Sequence, residues 1–177
     1  ELARAVLMLD SPLLGGWRAK SLEMAKRTQM MANVSPSKIS RKRRVLWSSR
    51  EEALALFQSK KTFARWHPQV LQDYVQHGLV PTPEGGVTLH FSREEESAIY
   101  DTLPHNLSSL LRRHPLRCPV AFIGGMYSKE MKQVGMDMTL QVTHGRTMLV
   151  DGSHLFPMEQ PEMTAAAIEA SLRNLDI

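Results

Sequence analysis

The sequence has one cysteine, Cys118, so no disulfide can form within the chain. A lone thiol fits a reducing compartment, and a cytoplasmic setting is the expectation. No apolar run approaches the roughly 20 residues of a membrane span, and no secretory signal is read in the opening residues. Cys118 and the seven scattered histidines lack metal-ligand spacing, so neither a metal nor another cofactor is expected. Strong charge of one sign is lacking too. The net charge is +4 in 177 residues, with 42% hydrophobic and 23% charged residues. That composition is ordinary for a globular chain with a core of its own.

The richest stretch is TMLVDGSHLFPMEQPEMTAAAI, from Thr147 to Ile168. Residues 147–150 form an apolar run, and Asp151-Gly152-Ser153 make a tight polar turn. A single histidine follows, His154, then Leu155 and Phe156, and a helix opens near Pro161. A strand that ends in a turn and offers one imidazole before a helix is a good mount for proton transfer. A capping or surface histidine is the plainer alternative.

Residues 5–9 (AVLML) form an unbroken apolar run, the pattern of a strand buried on both faces of a parallel sheet. The run ends in Asp10-Ser11-Pro12. An acid at the carboxyl end of such a strand stands where open α/β sheets place their ligands. A turn-forming Asp beside Pro12 is the alternative. From about residue 13 to 115 the pattern turns helical. Trp17, Met24 and Met31 recur every seventh residue, a stripe more in keeping with core than with a pocket lining. Ser35-Pro36 opens a helix, and Ser48, Ser49 and Ser92 each precede a glutamate by three residues, the spacing of a capping box. Pro68 opens a helix that Gly78 ends, and residues 87–91 alternate like a short ribbon. Lys38, Arg41, Lys42, Arg43 and Arg44 cluster, with only Trp47 as a neighbouring aromatic. A solvated face is favoured there over a nucleic-acid contact. Residues 119–123 (PVAFI) read as a second buried strand. Ala165, Ile168, Leu172 and Leu175 give the closing helix an apolar stripe.

The order strand, turn, histidine, Glu159-Gln160-Pro161-Glu162, helix resembles the histidine loop of the α/β-hydrolase superfamily. Val120, Ile123 and Gly125 also fit that superfamily's Pro-Val-x-x-Ile-x-Gly strand. The resemblance implies an α/β fold with a parallel sheet and an inserted helical cap. Residues 1–14 would be a core strand and acid turn, 15–115 the cap, and 116–177 the last strands, histidine loop and closing helix. It implies that His154 is the general base. The superfamily's usual acid lies three or four residues past the 119–123 strand, and none stands there. Asp10 is therefore the first choice for the orienting acid, with Asp137 in reserve. Trp17, Leu155 and Phe156 are candidates to line the substrate pocket.

No Gly-x-Ser-x-Gly elbow occurs in the sequence, and the oxyanion loop is missing. The superfamily's chain order is nucleophile, acid, histidine, so Asp10 before His154 leaves the nucleophile outside these residues. The expectation is the back part of a longer, cleaved or split protein. It would need a companion N-terminal half and act on a small apolar ester-like molecule, with no nucleic-acid or membrane partner. A non-catalytic binding protein of the same fold is the alternative.

Overall fold

Apolar runs and cap residues set the element boundaries in a computed structural model that describes residues 3–27 and 40–177. In chain order come β1 (Val6–Leu9), α1 (Gly16–Arg27), β2 (Leu46–Trp47), α2 (Arg50–Gln58), α3 (Pro68–Gly78), β3 (Leu79–Pro81), β4 (Val87–Leu89), α4 (Arg93–Asp101) and α5 (Leu107–Arg113). Then follow β5 (Val120–Gly125), α6 (Lys129–Val134), α7 (Asp137–Thr143), β6 (Thr147–Val150), α8 (Phe156–Glu159) and α9 (Pro161–Arg173). The chain divides into two units. Glu1–Met24 with Pro104–Ile177 form one, and Ala25–Leu103 the other, with the first boundary inside α1.

The first unit is built on a parallel sheet in the order β1-β5-β6. Leu7 pairs with Ala121, and Ile123 with Met148. All six residues of β5 are buried, as expected of a central parallel strand. The expectation of full burial is not met by β1, where Val6 is exposed and the next three residues are half-buried. The physical reason is position: among the described residues β1 is an edge strand, with a neighbour on one side only. Ile123, Val150, Phe156 and Ala167 form the core cluster beneath the sheet. The closing helix faces the core through Thr164, Ala167 and Ser171, not through Ala165, which is exposed. Of the expected stripe, Ile168 packs against the core cluster and Leu175 is buried, so only Ala165 falls off the core-facing side. Thr164 Oγ1 settles its polarity by donating 2.8 Å to the Gln160 carbonyl.

The second unit pairs β2, β4 and β3 antiparallel, in that order. Its helices cap as their sequences dictate. Ser49 Oγ accepts from Glu52 N at the start of α2, His67 Nδ1 accepts from Gln69 N at α3, and Ser92 with Glu95 makes a full capping box at α4. The core holds Trp47, Phe57, Leu71, Val75, Leu79 and Val87, with Phe63, Trp66 and Tyr74 packed against it.

The Trp17–Met24 stripe is not core: Trp17 is 71% exposed and Met24 61%. Helix α1 presents that face outward, because its first turn is fastened from the other side. Arg18 donates to the Val134 carbonyl at 2.8 Å. Met31 and the Ser35-Pro36 helix start lie outside the described residues. Within the basic cluster, Arg41 pairs with Asp101, Arg43 with Glu96 and Arg44 with Glu52. Three of its cations are thus neutralised locally. Lys38 lies outside the described residues.

Candidate active site

The site begins where β1 stops. Asp10 is 1% exposed and takes φ = 43°, a left-handed conformation that Asp tolerates better than most residues. Its amide still donates to the Ile123 carbonyl at 2.8 Å, so the strained residue stays tied to the sheet. That turn aims the carboxylate across the carboxyl end of β5. Oδ1 accepts from Gly125 N at 2.7 Å, and Oδ2 accepts from Ser128 Oγ at 2.6 Å. The same Oδ2 lies 2.7 Å from Nδ1 of His154. Ser128 stands three residues past the end of β5. Its hydroxyl serves the acid that comes from β1.

The histidine arrives from the loop after β6. Gly152 takes φ = 144°, and a side chain there would meet Phe156 Cβ at 2.5 Å. Ser153 is held by Glu159, which accepts from its amide at 3.0 Å and from its hydroxyl at 2.6 Å. Glu159 comes from α8, whose Phe156 is fully buried beneath the loop. The loop is thus pinned on both sides of His154. Gly125 lets it approach β5, since a Cβ there would lie 2.2 Å from the Ser153 carbonyl oxygen.

Electrostatics follow from these bonds. Burial pushes the Asp10 carboxyl up, but its bonds from His154, Ser128 and Gly125 together outweigh that and hold it below the usual range. The hydrogen bond to Asp10 raises His154 above its usual value, against partial burial, and the nearby Glu130 charge adds to the rise. An ionised Asp10 can only accept, so the neutral ring carries its proton on Nδ1. Its Nε2 then holds the lone pair, and the side chain is 42% exposed. That is the state of an oriented base.

The structure brings Asp10 and His154 together across 144 residues of sequence. It does not bring Asp137 to the ring. Asp137 opens α7 and lines a separate cavity of about 180 Å³ with Trp17, Arg18, Gly135 and Met138. Leu155 is half-buried beside the histidine. Phe156 is a correction: it lies in the core cluster, not on a pocket wall, because α8 turns it under the loop. Sequence reading missed the supports of the pair, namely Gly125 N, Ser128 and the Ser153–Glu159 bond. A serine three residues beyond a buried strand was the available signal for Ser128. Glu130 was missed as a neighbour. One ligand atom each of Asp10, Glu130 and His154 lies within 4.8 Å of the others, so these three could hold a cation.

No protein-family model matches the chain, and no curated protein does. Solved structures do. E-2-(acetamidomethylene)succinate hydrolase is similar over 97% of this chain and 58% of its own, at 16% identity and a TM-score of 0.64. The thioesterase domain from the curacin biosynthetic pathway is similar over 93% and 57%, at 13% identity and a TM-score of 0.61. A peroxisomal α/β-hydrolase of Saccharomyces cerevisiae is similar over 98% and 48%, at 14% identity and a TM-score of 0.61. The chain therefore spans about half to three-fifths of the length of these structures. Among the described residues no helix is long and apolar enough to cross a membrane.

Proposed function

We propose, from the α/β-hydrolase fold that this chain has, that it supplies the orienting acid and the general base of an ester hydrolase. The nucleophile comes from residues outside these 177, on a companion N-terminal half of the fold. The observation that carries the reading is the 2.7 Å bond between His154 Nδ1 and a buried, ionised Asp10.

The chemistry follows from that bond. Nε2 of His154 takes the proton of a serine-type hydroxyl as its oxygen attacks the ester carbonyl. The ring becomes imidazolium, and Asp10 steadies its charge without taking the proton. The same Nε2 proton then passes to the leaving alkoxide, which departs as an alcohol. Water repeats the sequence on the acyl intermediate and releases the acid. Asp10 is available throughout because Gly125 N and Ser128 Oγ fix its orientation. The proposed substrate is a small apolar ester, for which Leu155, half-buried beside the ring, is the nearest apolar candidate; the cavity lined by Trp17 does not include the ring.

A second reading is a binding protein of the same fold that does no chemistry, and an upstream elbow lacking Ser, Asp or Cys would favour it. One experiment separates the two. In the assembly that carries both segments, a fluorophosphonate probe should label the companion segment. Labelling and ester turnover should both be lost in His154→Ala, with turnover down by about 10⁴-fold or more. Unchanged labelling and turnover in His154→Ala would remove this site from the chemistry.

A further inference from the structure

Glu130 is the one acid of the cluster that the proposed relay leaves unused. It sits in the first turn of α6, partly exposed. Ser128 keeps it near, its hydroxyl 3.4 Å from Glu130 Oε2 while also bonded to Asp10. Asp10 is also held by Gly125 N, which fixes its second oxygen. The result is two carboxylates and an imidazole with ligand atoms within 4.8 Å of one another. A tetrahedral zinc ion, about 2.0–2.2 Å from nitrogen and oxygen ligands, needs ligand atoms about 3.4 Å apart. The His154–Asp10 pair at 2.7 Å would open slightly, and Glu130 would swing inward by roughly an ångström.

We propose that Asp10, Glu130 and His154 form a site for a divalent transition-metal ion of the zinc class. The imidazole in the set disfavours magnesium and calcium, which prefer oxygen alone. The ion takes the lone pair at Nδ1, and the proton there moves to Nε2, so the neutral ring keeps one proton. With Nε2 protonated, the ring can no longer accept a proton from a nucleophile. The ion is thus an inhibitor of the base rather than its helper. Only that last consequence rests on the hydrolase reading; binding itself does not.

The test is zinc titration of the chain by calorimetry, with the ring nitrogens followed by NMR. One ion should bind per chain, and the Nδ1 resonance of His154 should move to a metal-bound position while Nε2 gains a proton. Glu130→Gln should weaken that binding at least about tenfold, and His154→Gln should abolish it, with magnesium causing neither change. Binding that survives both variants at equal affinity, or no binding at all, would overturn the site. A chain that binds zinc as described while its complete assembly shows no esterase activity would sink the hydrolase reading alone. An active assembly that binds no zinc would sink this inference alone.

Discussion

The two units hold themselves together differently. The second unit relies on rings. Phe57 stands 5.4 Å from Trp47, 4.8 Å from Phe63 and 5.7 Å from Tyr74, and Trp66 closes on both Phe63 and Tyr74. Such pairs add dispersion and quadrupole attraction to plain burial. The sheet unit buries only Phe122 and Phe156 as rings, but it buries Asp10, Ser128, Thr139, Thr143, Thr164 and Ser171. All but Ser171 carry a side-chain hydrogen bond: Thr139 Oγ1 accepts from Leu13 N at 2.8 Å, and Thr143 Oγ1 donates to the Thr139 carbonyl at 2.9 Å. A core of rings tolerates little chemistry. A core stitched by oriented hydrogen bonds can hold a carboxylate charged at the end of a strand, and that is where the candidate site lies. The difference explains why the second unit's arginine pairs are surface features of small energetic weight, whereas the single Asp10–His154 pair organises its surroundings.

The contrast breaks first at Phe57. Removing a buried ring with several aromatic partners costs about 3–5 kcal/mol. In a Trp17→Phe background, which leaves Trp47 and Trp66 as the reporters, Phe57→Ala should lower the stability of the second unit by that amount in denaturant unfolding followed by tryptophan emission. The Nδ1 proton resonance of His154 should be unmoved. A shift or loss of that resonance in Phe57→Ala would mean that the two cores are not the separate systems described above.

Gly125→Ala is the matching cut in the sheet unit, at an overpacking cost of about 1–3 kcal/mol. The new Cβ would meet the Ser153 and Gly152 carbonyl oxygens at 2.2 and 2.7 Å, so the histidine loop must retreat from β5. The expected outcome is a lost or shifted Nδ1 proton resonance with the tryptophan emission of the second unit preserved. A retained resonance would show that the loop does not need its close approach to β5.

Much of this was legible in the sequence, for reasons that differ by region. Strand β6 falls on residues 147–150 as expected, because an apolar run bounded by Arg146 and an Asp-Gly turn leaves little freedom. Helices α2, α3 and α4 begin where Ser49, Pro68 and Ser92 say they should, since caps act within one turn. Asp10 could be singled out because an unbroken apolar run ended on it. Glu130 could not, because its approach to Asp10 depends on how α6 packs after β5, a tertiary fact with no local signature. The same limit explains the closing helix. Periodicity finds a stripe, but only packing decides that Thr164 and Ala167 face the sheet while Ala165 does not. Strands β2 and β3 are only two and three residues long, too short for any alternation to register.

The finest distinction between the units lies in their pH dependence. Asp10 ionises below its ordinary value of 3.8 when folded, so it adds stability that is present above 3.8 and lost as pH falls through its lowered value. His154 titrates above its ordinary 6.5, so it adds stability that is present below 6.5 and lost as pH rises through its raised value. The sheet unit therefore gains from this pair most between 3.8 and 6.5 and loses some of the gain as pH rises above 6.5. In the second unit, hydrogen bonds from Ser48 and Arg44 bring Glu52 down to about 2, which places its loss in acid. Burial raises Tyr74 above 10.0, which places its loss in strong base. As pH rises above 6.5, and short of the range where Tyr74 ionises, only the sheet unit among the described residues has a resolved reason to weaken. Its unfolding, followed by backbone circular dichroism, should shift modestly to lower denaturant across that interval, and His154→Gln should flatten the slope. Tryptophan emission from the second unit should hold steady. A slope that persists in His154→Gln would assign the titration to another group and leave the Asp10–His154 bond without a measurable share in stability.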